Sequence, residues 1–160
     1  SYLWNGQTLT ADFGTTTYDW ANMADYYEYY YSDPLGDATW LPSNFHTPER
    51  IDAVATLMYH CGVSVDMNYG GGSSGAPTNL VADALKTYFN YNPAVTFKQK
   101  TSNYGASVYY TDEEWIDMVK EELDAHRPLE YCGNHPTSSG GHAFVCDGYD
   151  DSDYFHFNYL

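Results

Sequence analysis

His142 and Asn158 are the residues of this chain whose types and spacing suit chemistry. His142 stands in Gly140-Gly141-His142-Ala143-Phe144-Val145-Cys146-Asp147-Gly148-Tyr149, and Asn158 closes Tyr154-Phe155-His156-Phe157-Asn158. The two segments read as a tight β-hairpin, with strands near 142–148 and 154–159 around Asp150-Asp151-Ser152-Asp153. A turn centred near residue 150 sets His142 opposite Asn158. Strand alternation then groups His142, Phe144 and Cys146 with Tyr154, His156 and Asn158 on one face. Directly opposed β-carbons lie roughly 4.5–5.5 Å apart, close enough for a carboxamide to hydrogen-bond an imidazole. An imidazole held in one tautomer by an asparagine is two parts of a Cys-His-Asn hydrolase site. The third part is a nucleophile.

The chain has three cysteines, Cys61, Cys132 and Cys146, an odd number without metal-binding spacing. Cys61 ends an apolar helical stripe and Cys146 lies in an apolar strand, so both read as small core residues. Pairing of strands 128–133 and 142–147 brings Cys132 near Ala143 and His142, which makes it a candidate relocated nucleophile. A reactive thiolate usually needs a helix N-terminus or a neighbouring cation, and a strand end offers neither.

Other clusters have ordinary readings. The loop Gly70-Gly71-Gly72-Ser73-Ser74-Gly75 precedes a helix but lacks the Gly-Lys-Ser/Thr ending of a phosphate cradle. It suits a rim that offers backbone groups to a peptide. Asp147, Asp150, Asp151 and Asp153 do not follow the EF-hand spacing and read as turn residues. The six histidines show no paired zinc spacing, so no metal or cofactor is expected.

The elements that must position these residues are legible in part. Residues 1–46 are aromatic and turn-rich, with the cluster Tyr26-Tyr27-Glu28-Tyr29-Tyr30-Tyr31, and predict short helical pieces and loops. Thr47-Pro48-Glu49 starts a helix with a Thr N-cap, Pro in the first turn and an acid at the positive end of the dipole. Ile51, Val54, Leu57, Met58 and Cys61 give it an apolar stripe to bury, and Gly62 stops it. A second helix is predicted near 78–89. A third begins at the capping box Thr111-Asp112-Glu113-Glu114, carries Trp115, Met118, Val119 and Leu123 on its apolar face, and is closed by Pro128. Strands fill the remainder from Leu129 onward. Helices first and antiparallel strands last is an α+β order.

One domain spanning 1–160 is expected at this length. Hydrophobic content of 43% and aromatic content of 18% argue against disorder despite a net charge of −16. Six Lys and Arg cannot build a phosphate-tracking patch, so nucleic acid and anionic membranes are unsuitable partners. No apolar run approaches a membrane span. Eighteen tyrosines suit half-wet surfaces and extended peptide clefts. The chain opens on Ser1 without a visible signal peptide, as a processed product or excised segment would.

Taken together, these residues resemble the streptopain-like cysteine proteases, secreted bacterial enzymes of papain-like fold. Tyr18-Asp19-Trp20-Ala21-Asn22-Met23 is similar to the family's Tyr-x-Trp-x-x-Met segment. Leu57-Met58 through Gly62-Val63-Ser64-Val65-Asp66-Met67-Asn68-Tyr69-Gly70 is similar to its approach to the cleft. Ala84-Leu85-Lys86, Phe89, Tyr91-Asn92, Trp115, Glu122-Leu123, Pro128 and Tyr131 follow in the family's order. Gly140-Gly141-His142-Ala143-Phe144-Val145, Asp147-Gly148 and His156-x-Asn158 complete it.

The resemblance implies that His142 is the general base of a thiolate–imidazolium pair and that Asn158 orients its ring. It implies that Ser73, Gly75 and Gly141 line the cleft and hold an extended peptide or protein substrate. It also implies a zymogen with a cleft-blocking propeptide, and a preference for an apolar side chain two residues before the scissile bond. Two departures stand out. The family's nucleophile follows a glycine at a helix start upstream of the Tyr-x-Trp segment, before this chain begins. Its Asn-Trp-Gly-Trp-Gly-Gly run is broken by Tyr159, and the chain ends at Leu160. The expectation is therefore an incomplete papain-like α+β domain, holding the His/Asn half of the site and inert without a nucleophile-bearing companion segment. The alternative is a degenerate, non-catalytic domain that binds peptides or proteins.

Overall fold

The computed structural model describes residues 1–24, 47–102, 107–134 and 141–158. The tyrosine cluster at 26–31, Gly140 and Tyr159 lie outside the described residues. The architecture is α+β, with helices and antiparallel sheets, in two compact units, Ser1–Val95 and Thr96–Leu160.

The first unit opens with a hairpin the sequence reading did not anticipate: β1 (Tyr2–Trp4) pairs antiparallel with β2 (Gln7–Leu9). Asn5 and Gly6 both take positive φ, 47° and 77°, as the tight primed turn between right-twisted strands requires. Helix α1 (Pro48–Ser64) begins as expected, with the Thr47 side chain accepting from the Arg50 N–H at 3.3 Å. It runs past Gly62 rather than stopping there. A 3₁₀ turn, Thr78–Leu80, leads into α2 (Val81–Tyr88) where one continuous helix was expected.

The buried side of α1 also differs from the predicted stripe. Ala53, His60, Gly62 and Val63 are buried, whereas Ile51, Met58 and Cys61 are exposed. Partners decide this. The Tyr18 hydroxyl and His60 Nδ1 share a hydrogen bond of 2.9 Å, and Phe13 packs edge-on against the same imidazole. Phe13 also stacks on Tyr88 of α2 at 4.4 Å. The N-terminal aromatics therefore choose the helix face that carries small residues and a hydrogen-bonding ring.

Gly62 serves close packing rather than termination. A Cβ built there would lie 1.9 Å from the Tyr69 hydroxyl oxygen and 2.9 Å from its Cζ. Tyr69 is itself braced by the edge of Trp4.

In the second unit, α3 (Asp112–Asp124) packs against β3 (Leu129–Asn134) and β4 (Gly141–Tyr149), and β5 (Phe155–Asn158) completes the sheet in the order β3-β4-β5. The capping box is present in full. Thr111 Oγ1 accepts from the Glu114 N–H, and Glu114 Oε2 accepts from the Thr111 N–H at 2.8 Å. The helix ends before Pro128. His126 turns left-handed at φ 57°, its N–H returns to the Leu123 carbonyl, and Arg127 pairs with Glu122 through two hydrogen bonds.

Gly62→Ala separates two opposing effects. Ala favours a helix interior by about 1 kcal/mol over Gly, and overpacking typically costs about 1–3 kcal/mol. The rigid, braced Tyr69 ring makes the second effect dominate, so the urea midpoint of the variant is expected to fall. A rise would show that Tyr69 yields freely.

Candidate active site

The candidate site lies on the sheet of the second unit. On one side, β3 and β4 pair as expected, with Cys132 opposite Ala143, Gly133 opposite His142 and Asn134 opposite Gly141. On the other side, the pairing of β4 with β5 departs from the expected register. Tyr149 faces Phe155 and Gly148 faces His156; a bulge at Asp147 follows, after which Cys146 faces Phe157 and Val145 faces Asn158.

The turn explains the departure. Asp150 Oδ1 accepts from the N–H groups of Ser152 and Tyr154 at 2.9 and 3.0 Å, and the Asp150 N–H donates to the Tyr154 carbonyl. Asp153 closes the loop in the left-handed region at φ 64°. This is a three-residue loop built on a type I turn, and it centres the hairpin near residue 152 rather than 150. The expected apposition of His142 and Asn158 is therefore corrected. Asn158 sits opposite a residue three positions along β4 from His142, roughly 10 Å at the strand rise. Opposed residues share a face, so Asn158 groups with Val145, and His142 groups with Phe144 and Cys146 on the other face.

The two faces differ in character. On the first, Tyr131 stacks on Phe144 at 5.8 Å, Phe157 meets both, and the exposed His142 ring lies 6.3 Å from Phe144. Cys146 is fully buried, as expected, and burial pushes its thiol up, away from thiolate formation. Cys132, opposite Ala143, belongs to the second face, so the sheet does not aim its thiol at His142. Cys61, exposed on α1, is the remaining cysteine.

Sequence reasoning missed Asp147 on the second face. Its bulged position places its carboxylate over two β5 residues. The His156 Nδ1–H donates to Oδ1 at 2.6 Å, and Asn158 Nδ2 donates to Oδ2 at 2.5 Å. These bonds, the His156 one foremost, hold the Asp147 carboxyl below the usual aspartate range. Gly148 inside an otherwise regular strand was the readable sign of the bulge. Two of the other turn acids are engaged too: Asp150 caps the turn and Asp153 pairs with Lys120.

Ser73 and Gly75 lie in the first unit, in a loop closed on itself. Asn68 and Gly75 exchange both backbone hydrogen bonds, at 2.9 and 3.1 Å, and the Gly70 N–H donates to Ser74 Oγ. Gly70 is required there, since a Cβ would sit 2.5 Å from the Ser73 carbonyl oxygen. The N–H and C=O of Gly75 are thus already in use, while the space beside its Cα is open.

A profile of the Peptidase C10 family matches residues 1–159. The chain belongs to the Peptidase C10 family. It is 33% identical over 158 residues to the Thiol protease/hemagglutinin PrtT of Porphyromonas gingivalis, covering 89% of this chain and 17% of that protein. It is 29% identical over 158 residues to the Streptopain of Streptococcus pyogenes serotype M28, covering 99% of this chain and 34% of that protein. The Streptopain of serotype M1 is 30% identical, with the same coverage. The chain thus spans about a third or less of the length of the curated relatives it matches. The streptopain-like resemblance read from the residues is the family of cysteine peptidases that these relatives represent. Among the described residues, no helix is long and apolar enough to cross a membrane.

The Asp147 clasp makes a pH-dependent prediction. A carboxyl held below its unfolded value stabilises the fold above that value, and the stabilisation is lost as pH falls through the lowered one. Asp147→Asn is expected to melt below wild type at neutral pH, with the gap closing as pH drops under the ordinary aspartate range. A gap that stays constant across that range would show that the charge contributes nothing.

Proposed function

We propose that this chain is the histidine-bearing part of a secreted or cell-surface bacterial cysteine endopeptidase of papain-like fold, with His142 as its general base. The Peptidase C10 match through the strand Gly141-His142-Ala143-Phe144-Val145 carries the reading. The imidazole stands exposed at the start of β4, accessible to a reacting partner.

The nucleophilic thiolate comes from a segment outside residues 1–160. This is supported within the second unit by Cys132, which lies on the face opposite His142, and by Cys146, which is fully buried with its thiol pushed up by that burial. In the reaction, that thiolate attacks the scissile carbonyl, and the His142 imidazolium protonates the departing amine. Water then cleaves the thioester while His142 takes up its proton. Ser73, Gly75 and Gly141 contact an extended peptide, with Gly75 offering its open Cα rather than its engaged N–H and C=O. The enzyme is made as a zymogen, as the family resemblance implies, with a propeptide that blocks substrate access. The family pattern has Asn158 orient the base, whereas the register seen here gives its amide to Asp147.

That last observation favours a second reading, a degenerate domain that binds peptides without cleaving them. The two separate in the full-length protein. The enzyme reading expects labelling by a peptidyl thiol-reactive probe and hydrolysis of a peptide with an apolar residue two before the scissile bond. His142→Ala is expected to lower turnover by roughly 10²–10⁴-fold, the usual contribution of general acid–base catalysis. Asn158→Ala tests the ring-orienting role apart from the base, and unchanged turnover would assign Asn158 to the Asp147 clasp alone. Peptide capture that survives His142→Ala, with no probe labelling of wild type, would overturn the enzyme reading.

A further inference from the structure

The His142 imidazole is the last ring of an aromatic series that begins on α3. Trp115 donates its indole Nε1–H to the Tyr131 hydroxyl at 2.5 Å, with the rings edge to face at 6.1 Å. Tyr131 faces Phe144 directly across the β3–β4 ladder and stacks on it at an interplanar angle of 28°. Phe157 packs against both, at 5.5 and 5.2 Å, so the three rings form a triangle. Phe144 lies two residues from His142 on the same face, their rings tilted by 33°.

We propose that Tyr131, tethered by Trp115 and stacked on Phe144, is a positioning residue for the His142 imidazole. The inference rests on His142 acting as the base, and deepens that reading. A histidine side chain turns about two bonds, and proton transfer tolerates little misplacement. The neighbouring Phe144 ring restricts that rotation only if it is itself held. Tyr131 and Phe157 both pack on it, and the Tyr131 hydroxyl is tied to a helix whose start is set by the Thr111–Glu114 capping box. Every link lies within one compact unit.

The bland account, that these rings are only core, makes a different prediction. Kinetics on the full-length peptidase would compare Tyr131→Leu, Tyr131→Phe and Val119→Ala, the last being a buried α3 residue outside the series. Tyr131→Leu is expected to lower kcat about tenfold, as misplacement of a catalytic group does, with KM changed by less than about twofold. The pH profile of nucleophile alkylation is expected to shift with it. Tyr131→Phe keeps the ring and loses only the tether, with roughly a threefold fall in kcat expected from one hydrogen bond. Val119→Ala should lower the melting temperature and leave kcat and the pH profile unchanged. If Tyr131→Leu fails to fold, Tyr131→Phe decides. Tyrosine variants that behave like Val119→Ala, while His142→Ala abolishes turnover, would overturn the positioning role. Full turnover by His142→Ala would instead overturn the underlying assignment.

Discussion

The Asp150 carboxylate, accepting from two amides of its own turn, is the constraint on which the second unit depends. Those two bonds contribute about 1 kcal/mol each, but they select one loop geometry, and the loop selects the register. A one-residue slip would move every side chain of β5 to the opposite face. Phe157 would then leave the aromatic cluster and lose its packing against Tyr131 and Phe144. Turn chemistry and packing therefore agree on one pairing, and Asp147 adjusts it by a single bulge.

That pairing divides the sheet into two environments. One face is aromatic, half-buried and covered from α3 by Trp115, with Cys146 sealed beneath. The other is wet and polar, where Asp147 gathers His156 and Asn158. The exposed His142 ring at the edge of the first face neighbours Phe144. Side chains on the second are oriented by charge, which also sets their response to pH.

Local chemistry was readable where it was self-contained. Thr47 and the Thr111–Glu114 pair announced helix starts because a cap needs only its own next three residues. The ladder of Cys132 with Ala143 followed from two adjacent strands. The buried face of α1 was not readable, since Tyr18 and Phe13, far off in sequence, select His60 and leave Met58 exposed. Gly62 looked like a stop because a glycine's need for room beside Tyr69 has no local signature.

By itself, the order of residues determined the α+β class, the helix starts, the existence of the hairpin and the membership of a cysteine peptidase family. Only the tertiary structure decided which side chains of that hairpin look the same way. The reason is that strand alternation amplifies small differences: a turn centred two residues later shifts the pairing along β4, and one bulged aspartate changes the face, which puts Asn158 beside Asp147 rather than His142.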